Sequence, residues 1–415
     1  MWYKYLMHFF ALLFTVFIDS LGFGLVFPIF SPLIVNNEGG IFSPEVSLAM
    51  RGLIFGLLVS AYCFGVFFGG PVLGAVSDRI GRKKLLVGAM WMAFIGYIAA
   101  CFGVAFQILW ILFVARVLGG ISAGSFAVAQ SVIADISNAE NKTKNFGLVG
   151  TAYWTGFVIG PFMGGKLASY GFTIPFAIAG FFCLLNALLL QFKFKESFTR
   201  IVNTKINWFY GISQIRKAFS FGGLRGIFTV MFISCVGWGF FTEFSPIFLN
   251  RYLGYQIGQI ANFYAWIGLW IAFSQGLLIR PLLRWISPQR LLAVGLLGLC
   301  VVLAVMFKFN QNVDLLWFIP FIAFFQAFIF PSAATLVSNL GTPETQGEIL
   351  GIHNAVQSAA IAIPPLFSGS LVALYPHLPV TVGSVSMLIA FVVFMIVSRS
   401  LQKTSLLKPE ENNLE

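Results

Sequence analysis

Gly74-Ala75-Val76-Ser77-Asp78-Arg79-Ile80-Gly81-Arg82-Lys83-Lys84 carries five charges in eleven residues, between the apolar runs Gly52 to Val76 and Leu85 to Ala105. Each run is long enough to cross a bilayer, which takes about 20 apolar residues at 1.5 Å rise each. Two spanning helices joined by so short a link form a hairpin, so the charged link lies on one side of the membrane. Four of its charges are basic, which predicts that this side is the cytoplasm.

Working outward, composition sets the class. With 59% hydrophobic and 9% charged residues, the 415-residue chain reads as a polytopic membrane protein, since a soluble domain needs far more polar surface. The net charge of +11 is a topology signal rather than a nucleic-acid footprint. Most Lys and Arg gather at the N-terminus, at 74–84, 140–146, 193–225 and 280–290, and in the tail, all segments expected on one side. Cys63, Cys101, Cys183, Cys235 and Cys300 all fall in apolar runs without a C-x-x-C spacing, and read as packing residues with no disulfide framework or metal site. The first apolar run holds Asp19 and lacks a small-residue cleavage site, so it reads as an uncleaved helix.

Apolar runs recur at 8–33, 52–77, 86–105, 107–133, 146–170, 173–194, 226–249, 258–283, 291–309, 315–339, 347–374 and 379–399. The expected fold is an all-α membrane protein with twelve transmembrane helices in two six-helix halves. Its divisions are 1–192, a cytoplasmic linker at 193–225, 226–400 and a cytoplasmic tail at 401–415. Pro28-Ile29-Phe30 in the first span returns as Pro246-Ile247-Phe248 in the seventh, as an internal repeat would. Secondary transporters are built from such repeats, with the substrate site between them near the midplane.

Charges inside spans are costly and point to function. Asp19 has two readings: a helix-end acid near the headgroups, or a buried carboxyl that loads and releases a proton. Arg116 in the fourth span needs a partner, with Asp19 the best candidate and backbone carbonyls the alternative. Glu243 in the seventh span binds a cationic substrate or a second proton, or lies near the outer surface. Gln130, Asn262, Gln275, Gln326, His353, Asn354 and Gln357 are candidates to line a cavity. The fifth span carries Gly147, Gly156, Gly160, Pro161, Gly164 and Gly165, in which glycines four apart make a flat strip for close helix contact and Gly-Pro interrupts the ladder.

The loop spacing Gly74-x3-Asp78-Arg79-x-Gly81-Arg82-Lys83 resembles the signature between the second and third helices of the major facilitator superfamily. The fifth-span glycines resemble the helix signature of its exporter branches. Together with Asp19-x2-Gly22-x-Gly24-x3-Pro28, Ala115-Arg116 and Ile133-Ala134-Asp135-Ile136, the chain is similar to the twelve-helix drug/proton antiporters, above all the tetracycline efflux group. The resemblance implies that Asp78 faces the start of the eleventh span, that Arg82 pairs with Asp135, and that Asp19 and Arg116 couple protons. It implies export of a small organic molecule, drug or metabolite, across a bacterial inner membrane by alternating access. Both termini would be cytoplasmic, the protein a monomer, and its energy source the proton gradient, with no other cofactor. An importer of a nutrient such as a sugar or amino acid is the alternative. No Gly-x4-Gly-Lys-Ser/Thr, HExxH or GxSxG occurs, and the loops are too short for a catalytic domain, so an enzyme is not expected.

Overall fold

The computed structural model describes residues 2–136, 142–196, 210–220, 224–251, 253–278, 281–282, 285–306, 315–339, 346–374 and 378–406, some of them by backbone alone. Among the described residues the regular structure is helical throughout. The first group of helices comprises α1 (Trp2–Val26), α2 (Leu48–Ile80), α3 (Arg82–Ala105), α4 (Leu109–Ala123), α5 (Ser125–Ile136), α6 (Lys142–Ala168) and α7 (Ile174–Lys193). A short helix, α8 (Tyr210–Ser220), then precedes a second group: α9 (Arg225–Arg251), α10 (Ile257–Phe273), α11 (Pro288–Met306), α12 (Ile319–Asn339), α13 (Gln346–Leu374) and α14 (Leu378–Leu406).

Every expected span has its helix, with α4 and α5 together forming the fourth. Among the described residues, nine spans are long and apolar enough to cross a membrane by themselves. The other three are α6, α10 and α13. The first is rich in glycine and carries Lys142, Lys144 and Lys166, whereas α10 has only 17 residues. The apolar stretch found in α13, Ala355–Phe367, is short. By length alone α6 and α13 suffice, at 27 and 29 residues.

Local chemistry sets several boundaries differently from the apolar pattern. The charged link is almost entirely helical. α2 continues to Ile80 and α3 begins at Arg82, leaving Gly81 alone at φ +98°, a conformation that favours glycine. The fourth span breaks at Gly124. After α1 the chain passes through a tight turn at Phe27–Ile29 and a wide one at Ser31–Val35, where Pro28 and Pro32 interrupt the helical ladder. The linker holds α8, while 197–209 and 221–223 lie outside the described residues.

Glycine sets the closest contacts of the first group. A Cβ on Gly160 of α6 would fall 2.7 Å from the Gly24 Cα and 2.8 Å from the Leu21 carbonyl oxygen of α1. Gly156 and Gly164 face α1 in the same way, one turn to either side. A second strip joins α2 to α4, where Gly65 and Gly69 meet Gly120 and Ile121. Asn186 of α7 donates to Thr15 of α1 at 3.1 Å, a fully buried polar link. Across the groups, α2 packs on α13 and α6 on α10. One apolar cluster also crosses, bringing Leu33 and Ile34 against Phe240, Ile247 and Ala362.

Candidate functional site

Two clusters of charge stand apart along the bundle. The first sits where α2 meets α3. Arg82 is the first residue of α3, so its side chain folds back over the last turn of α2. Its guanidinium pairs with Asp78 at 2.7 Å and with Asp135 of α5 at 3.3 Å, and donates to the Ser77 hydroxyl. The Arg82 side chain is 8% exposed, against 30% for Asp78 and 24% for Asp135, so the cation is buried while its acids reach the rim. The pairing of Arg82 with Asp135 is the geometry that the loop resemblance implies. Asp78 pairs with Arg82, and the side chains at the start of α13 lie outside the described residues.

Glu196, just past α7, completes this cluster. One carboxylate oxygen accepts from the Arg82 amide at 2.9 Å and the other from the Lys83 amide at 3.1 Å. These are two of the orphan N–H groups that open a helix, and the helix dipole favours an anion there. In sequence Glu196 falls within 193–225, the segment expected to be a linker. No short-range signal ties it to a turn 114 positions earlier. Arg79 is half-buried beside the pairs, and Gly74 leaves open space above its Cα.

The second cluster lies in the interior, on α1, α2, α4, α5 and α9. Arg116 of α4 is 8% exposed, and its guanidinium lies over the rings of Tyr62 at 4.4 Å and Phe30 at 4.9 Å. Its Nε has no hydrogen-bond partner among the described residues. Glu243 of α9 is 4% exposed, so it is an interior acid rather than a surface one, and its Oε2 also lacks a partner among them. The two charges act on each other electrostatically across the groups.

Asp19 does not form the expected ion pair with Arg116. Its carboxylate instead accepts from the Ser125 hydroxyl of α5. The reason is height: Ser125 follows Arg116 by nine positions, roughly 13 Å along a helical path at 1.5 Å per residue. Asp19 therefore sits nearer the basic-loop end, and Arg116 sits at the level of Phe30.

The remaining candidates divide. His353 is buried in α13 and its Nε2 shares a hydrogen bond with Gln357 at 3.0 Å, leaving Nδ1 unpartnered among the described residues. Gln326 of α12 is buried with its Oε1 similarly free. Gln130 and Gln275 are half-buried and Asn262 is exposed, whereas the Asn354 side chain is not described. Of the fifth-span glycines, Gly156, Gly160 and Gly164 contact α1, and Gly165 faces Ala261 of α10 in the other group. Pro161 lies against Gly24, and the surroundings of Gly147 are not described. At the end opposite the basic loop, Asn36 donates to Asn250 at 2.8 Å, joining α9 to the turn after α1. Among the described residues no group of three His, Cys, Asp or Glu stands ready to hold a metal ion.

Comparison with known proteins gives this arrangement a context. The family model for the Major Facilitator Superfamily matches residues 12–365. The chain is 26% identical over 403 residues to the quinolone resistance protein NorA of Staphylococcus aureus, covering 94% of this chain and 96% of that protein. It is 36% identical over 186 residues to the class C tetracycline resistance protein of Escherichia coli, covering 44% of this chain and 43% of the relative. The match thus spans less than half of that tetracycline protein's length. Among solved structures, a D-xylose-proton symporter superposes with a TM-score of 0.76 at 18% identity, covering 93% of this chain and 97% of the symporter, a likeness of fold.

Proposed function

Because the chain belongs to the Major Facilitator Superfamily, a family of transporters rather than enzymes, we propose that this secondary transporter is a proton-coupled exporter of small organic molecules. Residues 1–192 and 226–400 are its two six-helix halves, joined by a linker at 193–225 and followed by a tail at 401–415. They rock about the interior charges in the inner membrane of a bacterium, with both termini cytoplasmic. The protein acts as a monomer and needs only the proton gradient.

One observation carries the reading: Arg116 and Glu243, each within an apolar span, are buried and each keeps a polar atom without a partner among the described residues. Unpaired polar atoms cost free energy there, and such residues mark ion and substrate paths. Protonating Glu243 or Asp19 removes a charge from the interior, and a substrate cation facing the same carboxylate does so too. Proton and substrate therefore compete, as antiport requires. Arg116 fixes the field in which they compete, because its cation lies over two aromatic faces. Gln130, Gln326, His353 and Gln357 are the described polar candidates to line the substrate path. Gly74, Asp78, Arg79, Gly81, Arg82, Lys83 and Asp135 form the cytoplasmic gate. Gly156, Gly160, Pro161, Gly164 and Gly165 let α1, α6 and α10 slide at close range. The resistance proteins among the relatives support export and make tetracycline and a quinolone the first probes.

The test uses everted membrane vesicles energised by respiration. Uphill uptake of either probe, collapsed by an uncoupler, is the expected result. Accumulation of a sugar or amino acid by intact cells would establish the importer alternative instead. Orientation is read separately from Lys84→Cys and Glu38→Cys, both exposed positions, with an impermeant thiol reagent on intact cells. Only the Glu38 variant should label.

A further inference from the structure

We infer that Glu196 is a positioning residue of the gate, a carboxylate that seats the first turn of α3 so that Arg82 can bridge Asp78 and Asp135. The inference builds on the gate reading above. Its first observation is geometric. Both Glu196 oxygens accept from consecutive backbone amides, at 2.9 Å from Arg82 and 3.1 Å from Lys83. The residue whose guanidinium makes the ion pairs is thus held by its own amide on one side and by its side chain on the other.

The second observation concerns Gly81. Its φ of +98° turns the chain from α2 directly into α3, and a Cβ there would run into the Glu196 carboxylate. The turn and the acid fit each other. The third is the anchorage of Glu196 itself. Phe194, two residues earlier, is buried in the apolar cluster that also contains Leu85 and Leu86 of α3 and Leu190 of α7. Glu196 therefore approaches the turn from a fixed base at the end of α7.

An arginine at the first position of a helix has no preceding helical turn of its own to hold it. Without the carboxylate, the first turn of α3 loses partners for two amides and frays, as helix ends do. The Arg82 side chain then samples more orientations, and its bonds to Asp78 and Asp135 weaken together.

Glu196→Gln keeps one acceptor oxygen but presents an amide N–H₂ to the second backbone N–H, so one of the two bonds fails. Glu196→Asp keeps both oxygens on a shorter arm and should restore most of the effect. Hydrogen exchange followed by mass spectrometry on the peptide covering Arg82 to Leu85 reads the clamp with no substrate present. Glu196→Gln should exchange there roughly tenfold faster, the loss expected of a missing helix cap. Spin labels at Lys84→Cys and Gln289→Cys, in a Cys101→Ser background, read the distance across the gate. Glu196→Gln should broaden that distribution towards longer separations, and Glu196→Asp should return it towards the wild type.

Unchanged exchange in Glu196→Gln would overturn the clamp. Faster exchange with an unaltered gate distance would overturn the positioning role and leave only a helix cap. If the wild type carries neither tetracycline nor a quinolone, the transport reading fails on its own account, while the exchange result still decides the clamp.

Discussion

Arg82 and Arg116 are both buried, at 6% and 8% exposure, yet they are held in opposite ways. Arg82 meets two carboxylates and a hydroxyl, and its amide meets a third carboxylate. Arg116 meets two aromatic faces and forms no ion pair among the described residues. A buried cation with matched anions is committed to its site, because separating the pair leaves an uncompensated charge. A buried cation resting on aromatic rings keeps its N–H donors for something else. Under the proposed function, the difference separates a latch from a site of exchange.

Breaking the exchange site should have the largest effect. Arg116→Ala is expected to abolish uphill transport of the probe in everted vesicles. Arg116→Lys should fail as well, since an ammonium lacks the flat guanidinium that lies across the Tyr62 and Phe30 rings. Size-exclusion profiles and thermal stability of both variants should stay near those of the wild type, which separates loss of function from loss of fold.

Next come the glycines that hold α6 against α1. Gly164→Val places its side chain in the Leu25 backbone, and Gly160→Val places it in Gly24. Overpacking of this kind costs about 1–3 kcal/mol. A lower melting temperature in detergent, with reduced folded yield, is the expected reading. At the latch, Gly81→Ala meets both an unfavourable φ and the Glu196 carboxylate, at about 1–3 kcal/mol. Its melting temperature should fall, and Ala at the exposed Gly254 position makes the control for φ alone, with no atom within 4 Å of its Cβ.

The smallest effect belongs to Asp135→Asn. Its carboxylate is partly exposed and Asp78 remains, so the loss should be about 0.2–1 kcal/mol. A small drop in melting temperature that disappears at high salt would mark it as a screened pair. A drop as large as that of Gly81→Ala would instead make the latch as uncompromising as the interior packing.

The sequence made the scaffold legible wherever the signal was local. Apolar run length placed the spans, and the charged stretch brought Asp78 and Arg82 within four positions of each other, across the turn at Gly81. The fifth-span glycines announced a close contact, which is with α1 and, through Gly165, with α10. What stayed illegible depends on height and long-range approach. Arg116 was recognisable as an interior charge and Asp19 as a candidate for one, but only packing sets α1 about two turns away from the level at which they would pair. Glu196 looked like a linker acid because its partners lie in a distant turn. Gly124 broke a run that hydropathy read as continuous. The Thr15–Asn186 link had no pattern to betray it, each side chain being a lone polar group in an apolar run.

Proton movement driven by substrate tests the central claim most directly. Wild type, Asp19→Asn and Glu243→Gln are reconstituted in liposomes that contain a pH-sensitive dye, and tetracycline is added as the probe against an imposed pH gradient. The account predicts proton movement with the wild type and none with either variant, although both still bind the probe. Full uphill transport with proton movement by both variants would contradict it.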